Sequence, residues 1–206
     1  MHNPRLVLAS LSPRRSEILS RLGLAFDVEP ADVDESVRRG EAASDYVVRV
    51  ATDKATAVHR TDAVVIAADT SVVLNGEILG KPTGPSQVAS MLTRLSGTVH
   101  EVLTGVVVAV TASDGRTQIA SGYESTAVRF ATVSADRIAW YSSLSEPLDK
   151  AGSYGMQGAG SLFADRVEGS VTNVIGLPLQ LVDSLFIELG LDLLSFAARG
   201  AADLPS

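Results

Sequence analysis

The stretch from Ala63 to Pro82 constrains the fold more than any other part of this 206-residue chain. It opens with Val64–Ala68, a short apolar run with the length and β-branched content of a buried strand. Asp69 and Thr70 follow, and we place them at the C-terminal end of that strand. Open α/β sheets bind their ligands at that edge. The sequence therefore predicts an α/β fold with a carboxylate and a hydroxyl at a ligand-binding edge.

A β-hairpin is predicted directly after this acid. The apolar runs Val72–Leu74 and Glu77–Leu79 are separated by Asn75 and Gly76, two residues that tolerate positive φ. The hairpin returns Lys81 toward the strand it left, so an acid and a lysine are expected near each other. An acid that can hold a metal ion or a water molecule, beside a cation, suits a phosphate ester or anhydride.

The N-terminal segment predicts a phosphate-binding arrangement. Leu6–Ala9 has the pattern of a strand and Pro13–Leu22 that of a helix, with Ser12 at the N-cap. The free N–H groups at such a helix start bind phosphate. Arg14 and Arg15 lie in the first turn, where cations oppose the helix dipole, so an anion is one explanation for them. The alternative is that both are solvated surface arginines.

The remaining elements alternate between helical and extended patterns. Helices are predicted at residues 44–59, 85–95, 134–142 and 178–189, and strands at 24–29, 99–110, 117–133 and 170–175. Long antiparallel strands beside βα units indicate a mixed sheet.

Two irregular segments interrupt this alternation. Ser145–Gly160 has four glycines in nine residues, which indicates a backbone that closely approaches a ligand or another backbone. Ala31–Ser36 has three acids in four positions. Such a cluster is usually a solvated turn, and a metal role would need a partner from elsewhere, for which Asp69 is a candidate.

Composition excludes several classes of function. The chain has no cysteine, so disulfides, thiolate metal sites and a thiol nucleophile are excluded. A net charge of -7 argues against binding to a nucleic acid polymer or an acidic membrane, and no apolar run approaches transmembrane length. The first apolar run is too short for a signal peptide, so the cytoplasm is the expected location. The only lysines, Lys54, Lys81 and Lys150, lie in or beside the segments described above, which fits a small polyanion as ligand.

Six motifs occur in order along nearly the whole chain: Ser10–Arg15, Ala67–Thr70, Gly80–Pro82, Ser96–His100, Glu146–Gly152 with Tyr154–Gly158, and Asn173–Pro178. Together they resemble the Maf family of nucleotide pyrophosphatases. The resemblance implies a mixed α/β fold with an elongated, twisted sheet flanked by helices. It also implies a single domain over residues 1–206, made of two lobes with a central cleft.

The same resemblance implies an activity and a site. Members of the family hydrolyse nucleoside triphosphates to the monophosphate and pyrophosphate with a divalent metal, Mg²⁺ or Mn²⁺. Asp69 is then the catalytic proton acceptor, and Glu35 and Asp69 are the metal-linked carboxylates, with Asp34 as an alternative to Glu35. The implied substrate contacts are Ser10, Arg14, Arg15, Lys54, Thr70, Lys81 and Gln157.

Three of these positions are expected to set the substrate class. Arg14, Thr70 and Gln157 resemble the family branch that prefers dTTP and UTP, with modified pyrimidine nucleotides as further candidates. The other branch prefers 7-methyl-GTP and has an aromatic residue at the Arg14 position. Two different functions stay open from the sequence: a nucleotide-binding regulator of cell division without turnover, and a phosphatase that releases orthophosphate. A homodimer is a further expectation.

Overall fold

A computed structural model describes residues 4–58 and 60–197. The strands are β1 (Arg5–Leu8), β2 (Asp27–Val28), β3 (Ala63–Leu74), β4 (Glu77–Leu79), β5 (Val99–Thr111), β6 (Thr117–Phe130) and β7 (Ala164–Glu168). The α-helices are α1 (Pro13–Arg21), α2 (Ala43–Ala57), α3 (Pro85–Leu95), α4 (Ala135–Ser142), α5 (Val171–Ile175) and α6 (Leu179–Glu188). Because β1 pairs parallel with β2 and β3, while β4 and β7 pair antiparallel with their neighbours, the predicted mixed α/β class is confirmed.

Among the described residues, the first of two compact units comprises 4–58, 60–69, Gly105–Tyr123 and 176–197. Its strands follow the order β2-β1-β3-β5-β6. One cluster in its core consists of small and β-branched side chains, namely Val7, Ala9, Ala51, Ala55, Val58, Ala63, Val65, Ala67, Val107 and Ala109. Such short side chains let the helix α2 pack closely on the sheet.

One glycine fixes the distance between α2 and β5. A Cβ on Gly105 would lie 2.4 Å from the backbone carbon and oxygen of Val47 in α2. Only a residue without a side chain permits this approach of helix to strand. The position of α2, and of every side chain on it, therefore depends on Gly105.

The second unit comprises Thr70–Thr104 and Glu124–Ile175. Its strands follow the order β3-β5-β6-β7, and β4 pairs with β3. Its core is richer in aromatic residues and includes Phe130, Tyr141, Tyr154 and Phe163. Neighbouring rings meet edge-on, as in the contact between Tyr141 and Phe163, whose ring centroids are 5.0 Å apart. The expectation of one domain with a cleft stays a prediction.

The predicted hairpin is confirmed, but the predicted strand end before it is wrong. Asn75 and Gly76 have φ values of 51° and 81°, as the turn requires, and Val72 lies opposite Leu79. However, β3 runs without a break from Ala63 to Leu74. Asp69 therefore lies inside a strand and not at its tip. A polar stretch can stay in a sheet because the ladder satisfies its backbone groups.

The predicted strand at 170–175 is also wrong, because Val171–Ile175 forms the helix α5. Its β-branched residues favour a strand, but the Ser170 hydroxyl accepts a hydrogen bond from the Asn173 N–H at 3.1 Å, as an N-cap does. The adjacent strand, Ala164–Glu168, is missing from the sequence prediction. It is short and charged, as edge strands often are, and so lacks an apolar pattern.

The other elements agree with the predictions apart from their ends. The strand predicted at 24–29 is reduced to Asp27–Val28, and the strand predicted to reach residue 133 ends at Phe130. The predicted end of α2 at His59 lies outside the described residues. Within residues 4–58 and 60–197, no helix has the length and apolar character needed to cross a bilayer.

Candidate active site

The loop between β1 and α1 is organised by Ser10 and Arg15. The Ser10 hydroxyl accepts hydrogen bonds from the Ser12 N–H at 3.1 Å and from Nη1 of Arg15 at 3.0 Å. Nε of Arg15 donates to the Gly176 carbonyl at 2.8 Å. Arg15 is buried, so the interpretation of it as a solvated surface arginine is wrong. Its neighbour Arg14 is only partly buried.

Burial lowers the pKa of Arg15, and the negative charge of Asp69 opposes that shift. A guanidinium keeps its charge even so, because it loses its proton only at strongly alkaline pH. Arg15 thus places a permanent positive charge in the first turn of α1. This charge is close enough to Asp69 to interact with it electrostatically.

Lys54, Asp69 and Glu35 form an ionic cluster in the first unit. Nζ of Lys54 lies 2.8 Å from Oδ1 of Asp69 and 2.6 Å from Oε1 of Glu35. Lys54 and Asp69 are each only 7% exposed, whereas the Glu35 side chain is 40% exposed. The structure thus places Asp69 beside a lysine from α2, whereas the predicted proximity of Asp69 and Lys81 stays a prediction.

The loop that carries Glu35 is fastened to α2 by two side chains. The Tyr46 hydroxyl donates to the Glu35 carbonyl at 2.9 Å, and Nη2 of Arg49 donates to the Ser36 carbonyl at 2.9 Å. Arg49 is itself held by Glu41, with Nε to Oε1 at 2.6 Å. Burial raises the pKa of Tyr46, so its hydroxyl stays protonated and remains a donor.

The structure distinguishes the two acids that compete for the metal-linked role. Oδ1 of Asp34 accepts the Ser36 N–H at 2.9 Å, a local turn contact that lowers the pKa of Asp34. Glu35, in contrast, reaches Lys54. Of the two, Glu35 is therefore the acid brought to Asp69.

The two carboxylates fit a divalent cation that also binds phosphate. In this structure they converge on one positively charged group, the Lys54 ammonium. Mg²⁺ typically takes one or two protein carboxylates and completes its shell with water and substrate phosphates. Among the described residues, no group of three or more histidine, aspartate and glutamate side chains forms a ready-made metal site. Glu35 and Asp69 therefore suit a metal that binds together with a phosphate-bearing substrate.

Thr70 belongs to a hydrogen-bond chain in the second unit. Its hydroxyl lies 3.0 Å from that of Thr104, which donates to the Asn173 carbonyl at 3.0 Å. Since a hydroxyl has a single hydrogen, Thr70 must be the donor to Thr104. In any further hydrogen bond that it makes, the Thr70 oxygen is therefore an acceptor. Sequence reasoning assigned no role to Thr104 or Asn173, although Asn173 opens one of the six motifs and its spacing from Ser170 is that of an N3 residue from its N-cap.

Lys81 and Gln157 also lie in the second unit, and both are exposed. Lys81 follows β4, and Gln157 lies in the glycine-rich segment, which forms short 3-10 turns at Glu146–Asp149, Ala151–Ser153 and Ala159–Leu162. The predicted close approach of this backbone is confirmed, because a Cβ on Gly160 would lie 2.7 Å from the Gly155 nitrogen.

Of the predicted site residues, the structure brings together in the first unit Ser10, Arg15, Glu35, Lys54 and Asp69, with Arg14 beside Arg15.

Comparison with protein families matches residues 5–189 to the family described as Maf-like protein. The chain belongs to the Maf-like family. A dTTP/UTP pyrophosphatase of Anaeromyxobacter sp. (strain Fw109-5) is 53% identical over 186 residues, 90% of each chain. A dTTP/UTP pyrophosphatase of Hahella chejuensis is 48% identical over 196 residues, covering 93% of this chain and 95% of its own.

Similarity to solved structures is much weaker. A nucleoside-triphosphatase / dITP/XTP pyrophosphatase from Mycobacterium abscessus covers 90% of this chain and 96% of its own at 12% identity, with a TM-score of 0.40. We draw nothing about the site from a similarity of this size. The function of this Maf-like protein is inferred from its own residues and from its relatives in sequence.

Proposed function

We propose that this Maf-like protein is a nucleoside triphosphate pyrophosphatase that prefers dTTP and UTP. Relatives with 46–53% identity over most of the chain have the name dTTP/UTP pyrophosphatase. The observation that carries the proposal is the buried Asp69 carboxylate, held by Lys54 beside Glu35. A carboxylate held this way, next to cations, suits attack of water on a phosphoanhydride.

Each residue of the cluster has a role in this reaction. Lys54 fixes Oδ1 of Asp69, and we assign to Oδ2 the proton of the attacking water. Arg14 can bind phosphate oxygens through two parallel N–H donors of its guanidinium. Arg15 stabilises the loop between β1 and α1 by donating to the Ser10 hydroxyl. Lys81 is assigned to the departing pyrophosphate as a point charge. No covalent intermediate is required.

Glu35 and Asp69 would hold the divalent metal, which we propose is Mg²⁺ or Mn²⁺. When bound, it draws charge from the phosphate oxygens. Lys54 contacts both Glu35 and Asp69 in this structure. Its ammonium group therefore offsets the repulsion between the two carboxylates when the divalent metal and the substrate are not bound. Asp69 is the fixed member of the pair because it lies in a strand, and Glu35 is the solvent-exposed one.

Base selection is proposed to depend on Arg14, Thr70 and Gln157. The amide of Gln157 offers both a donor and an acceptor, which suits the edge of a pyrimidine. Thr70 presents an acceptor, because its hydrogen is donated to Thr104. Cytoplasmic location, a homodimer, and the absence of nucleic acid polymer or membrane partners remain predictions of the sequence.

The test is a panel of nucleoside triphosphates with Mg²⁺, scored separately for pyrophosphate and orthophosphate. We expect pyrophosphate, with dTTP and UTP turned over best. Asp69→Asn should abolish turnover while nucleotide still binds, and Asp183→Asn, which changes an exposed aspartate on α6, should leave turnover unchanged. Release of orthophosphate would favour a phosphatase. Binding without turnover in the parent protein would favour the regulator of cell division.

A further inference from the structure

The Glu146 carboxylate lies at the centre of the glycine-rich turn in the second unit. Its Oε1 accepts hydrogen bonds from the Tyr141 hydroxyl at 2.9 Å and from the Gly160 N–H at 3.2 Å. Its Oε2 accepts the Ala159 N–H at 2.9 Å. Three donors from two parts of the chain thus converge on one side chain.

The turn is wrapped tightly around this carboxylate. A Cβ on Gly158 would lie 2.5 Å from Oε2 of Glu146, and a Cβ on Gly160 would lie 2.7 Å from the Tyr141 hydroxyl. Glycine at both positions is what allows the backbone to approach the acid. The glycines of this segment therefore reflect contact with an internal side chain.

The anchor is rigid because it is joined to the core. Tyr141 is fully buried and packs edge-on against Phe163. Burial, and then the hydrogen bond to Glu146, raise the pKa of Tyr141, so its hydroxyl remains a donor to the carboxylate. Gln157, immediately before Gly158, is exposed and lies in the turn that this anchor holds.

We propose that Glu146 is a positioning residue for base selection: its carboxylate fixes the turn so that the Gln157 amide meets the nucleobase in one orientation. This inference rests on the proposed function. Glu146 acts through Gln157 and is not assigned any contact with substrate.

A carboxylate is required by the chemistry of the contact. It offers acceptors on both oxygens, whereas the amide of Glu146→Gln has one acceptor oxygen and an NH₂ group that would face an N–H donor. A buried N–H without a partner destabilises the conformation that buries it. Glu146→Gln should therefore loosen the turn with almost no change in side-chain volume.

The first measurement is the ratio of kcat/KM for dTTP to that for dCTP. We expect Glu146→Gln to lower this ratio about tenfold, mainly by raising KM for dTTP, because a base contact acts on binding. Glu168→Gln is the matched control, since it changes an exposed carboxylate of the same unit that pairs with Arg166. An unchanged ratio in Glu146→Gln would overturn the proposal.

A double-mutant cycle tests whether Glu146 acts through Gln157. Gln157→Ala should lower the ratio, and adding Glu146→Gln should lower it little further, because residues that act as a unit are not additive. Full additivity would contradict the proposal. Absence of pyrophosphate release from the parent protein would instead refute the proposed function.

Hydrogen exchange gives a readout that does not depend on turnover. The amides of Ala159 and Gly160 should exchange faster in Glu146→Gln, with the rest of the unit unchanged, and unchanged exchange at both would contradict the proposal. Should Glu146→Gln fail to fold, Tyr141→Phe removes only one of the three donors. Tyr141→Phe is expected to lower the dTTP to dCTP ratio as well, but by a smaller factor. If the folded variant keeps the full ratio although the amides of Ala159 and Gly160 exchange faster, the proposed dependence of base selection on the turn is refuted.

Discussion

Replacing Lys54 by methionine tests the ionic cluster directly. Lys54→Met keeps a long side chain along α2 and removes the ammonium that contacts Asp69 and Glu35. Two carboxylates then face each other without a cation between them. We expect the loss of stability to come almost entirely from Asp69, which is buried, and hardly at all from Glu35, which is 40% exposed on its side chain.

The magnitude follows from this difference in burial. Removing one partner of a buried pair destabilises a protein by about 3–5 kcal/mol, whereas an exposed pair contributes about 0–1 kcal/mol. The apolar methionine recovers part of the loss, because it has no charge to desolvate. The expected decrease in the free energy of unfolding is thus about 3 kcal/mol.

Urea denaturation followed by far-UV circular dichroism measures this change. Adding Asp69→Asn to Lys54→Met should restore at least about 1 kcal/mol, since it removes the unpaired buried charge. Added Mg²⁺ should stabilise Lys54→Met more than the parent protein, because the cation can replace the ammonium. Arg166→Met, in an exposed pair, is the control. A loss below about 1 kcal/mol in Lys54→Met would show that no buried pair holds Asp69.

Three further changes have defined outcomes. Gly105→Ala should destabilise the protein by about 1–3 kcal/mol and reduce activity, since α2 must move to admit the methyl group. Gly80→Ala, with open space at its Cβ, should be nearly neutral in the same denaturation assay. Burial lowers the pKa of His100 to about 4. The neutral imidazole should therefore contribute its full share to the free energy of unfolding above about pH 6.5, and up to about 3 kcal/mol should be lost as the pH drops to 4. His100→Gln should flatten that part of the curve of unfolding free energy against pH. Thr104→Val removes the acceptor of the Thr70 hydroxyl and the donor to Asn173, and should destabilise by about 1 kcal/mol and change KM for dTTP.

Local sequence signals were sufficient where an element is determined by its own residues. The Asn75-Gly76 turn requires positive φ, and Pro85–Leu95 forms a helix with the bounds that its apolar spacing predicts. The same holds for the start of α1 at Pro13. These elements would be recognised in any chain that contained them.

Tertiary contacts decide the elements that the sequence did not predict. Val171–Ile175 has strand-forming residues but is helical, because Asn173 donates through Nδ2 to the Val102 carbonyl and the Thr126 hydroxyl at 2.9 Å each. The role of Glu146 was not predicted from the sequence, since two of its three donors are backbone N–H groups more than ten positions away. These side-chain contacts depend on the finished fold, although the Ser170 N-cap at the start of α5 is a local signal.

The position of Asp69 inside β3 changes what this acid can do. A residue at a strand tip shares the mobility of the following loop, whereas a strand residue has its backbone fixed and its side-chain direction set by the pleat. The Lys54 side chain that meets it comes from α2, which Gly105 holds against the same sheet. Both charges are therefore placed by rigid elements before any substrate arrives, and such preorganisation is what an electrostatic site needs. Of the three residues, Glu35 alone lies on a loop, so under the proposed function it is the carboxylate that would adjust to a metal and a triphosphate.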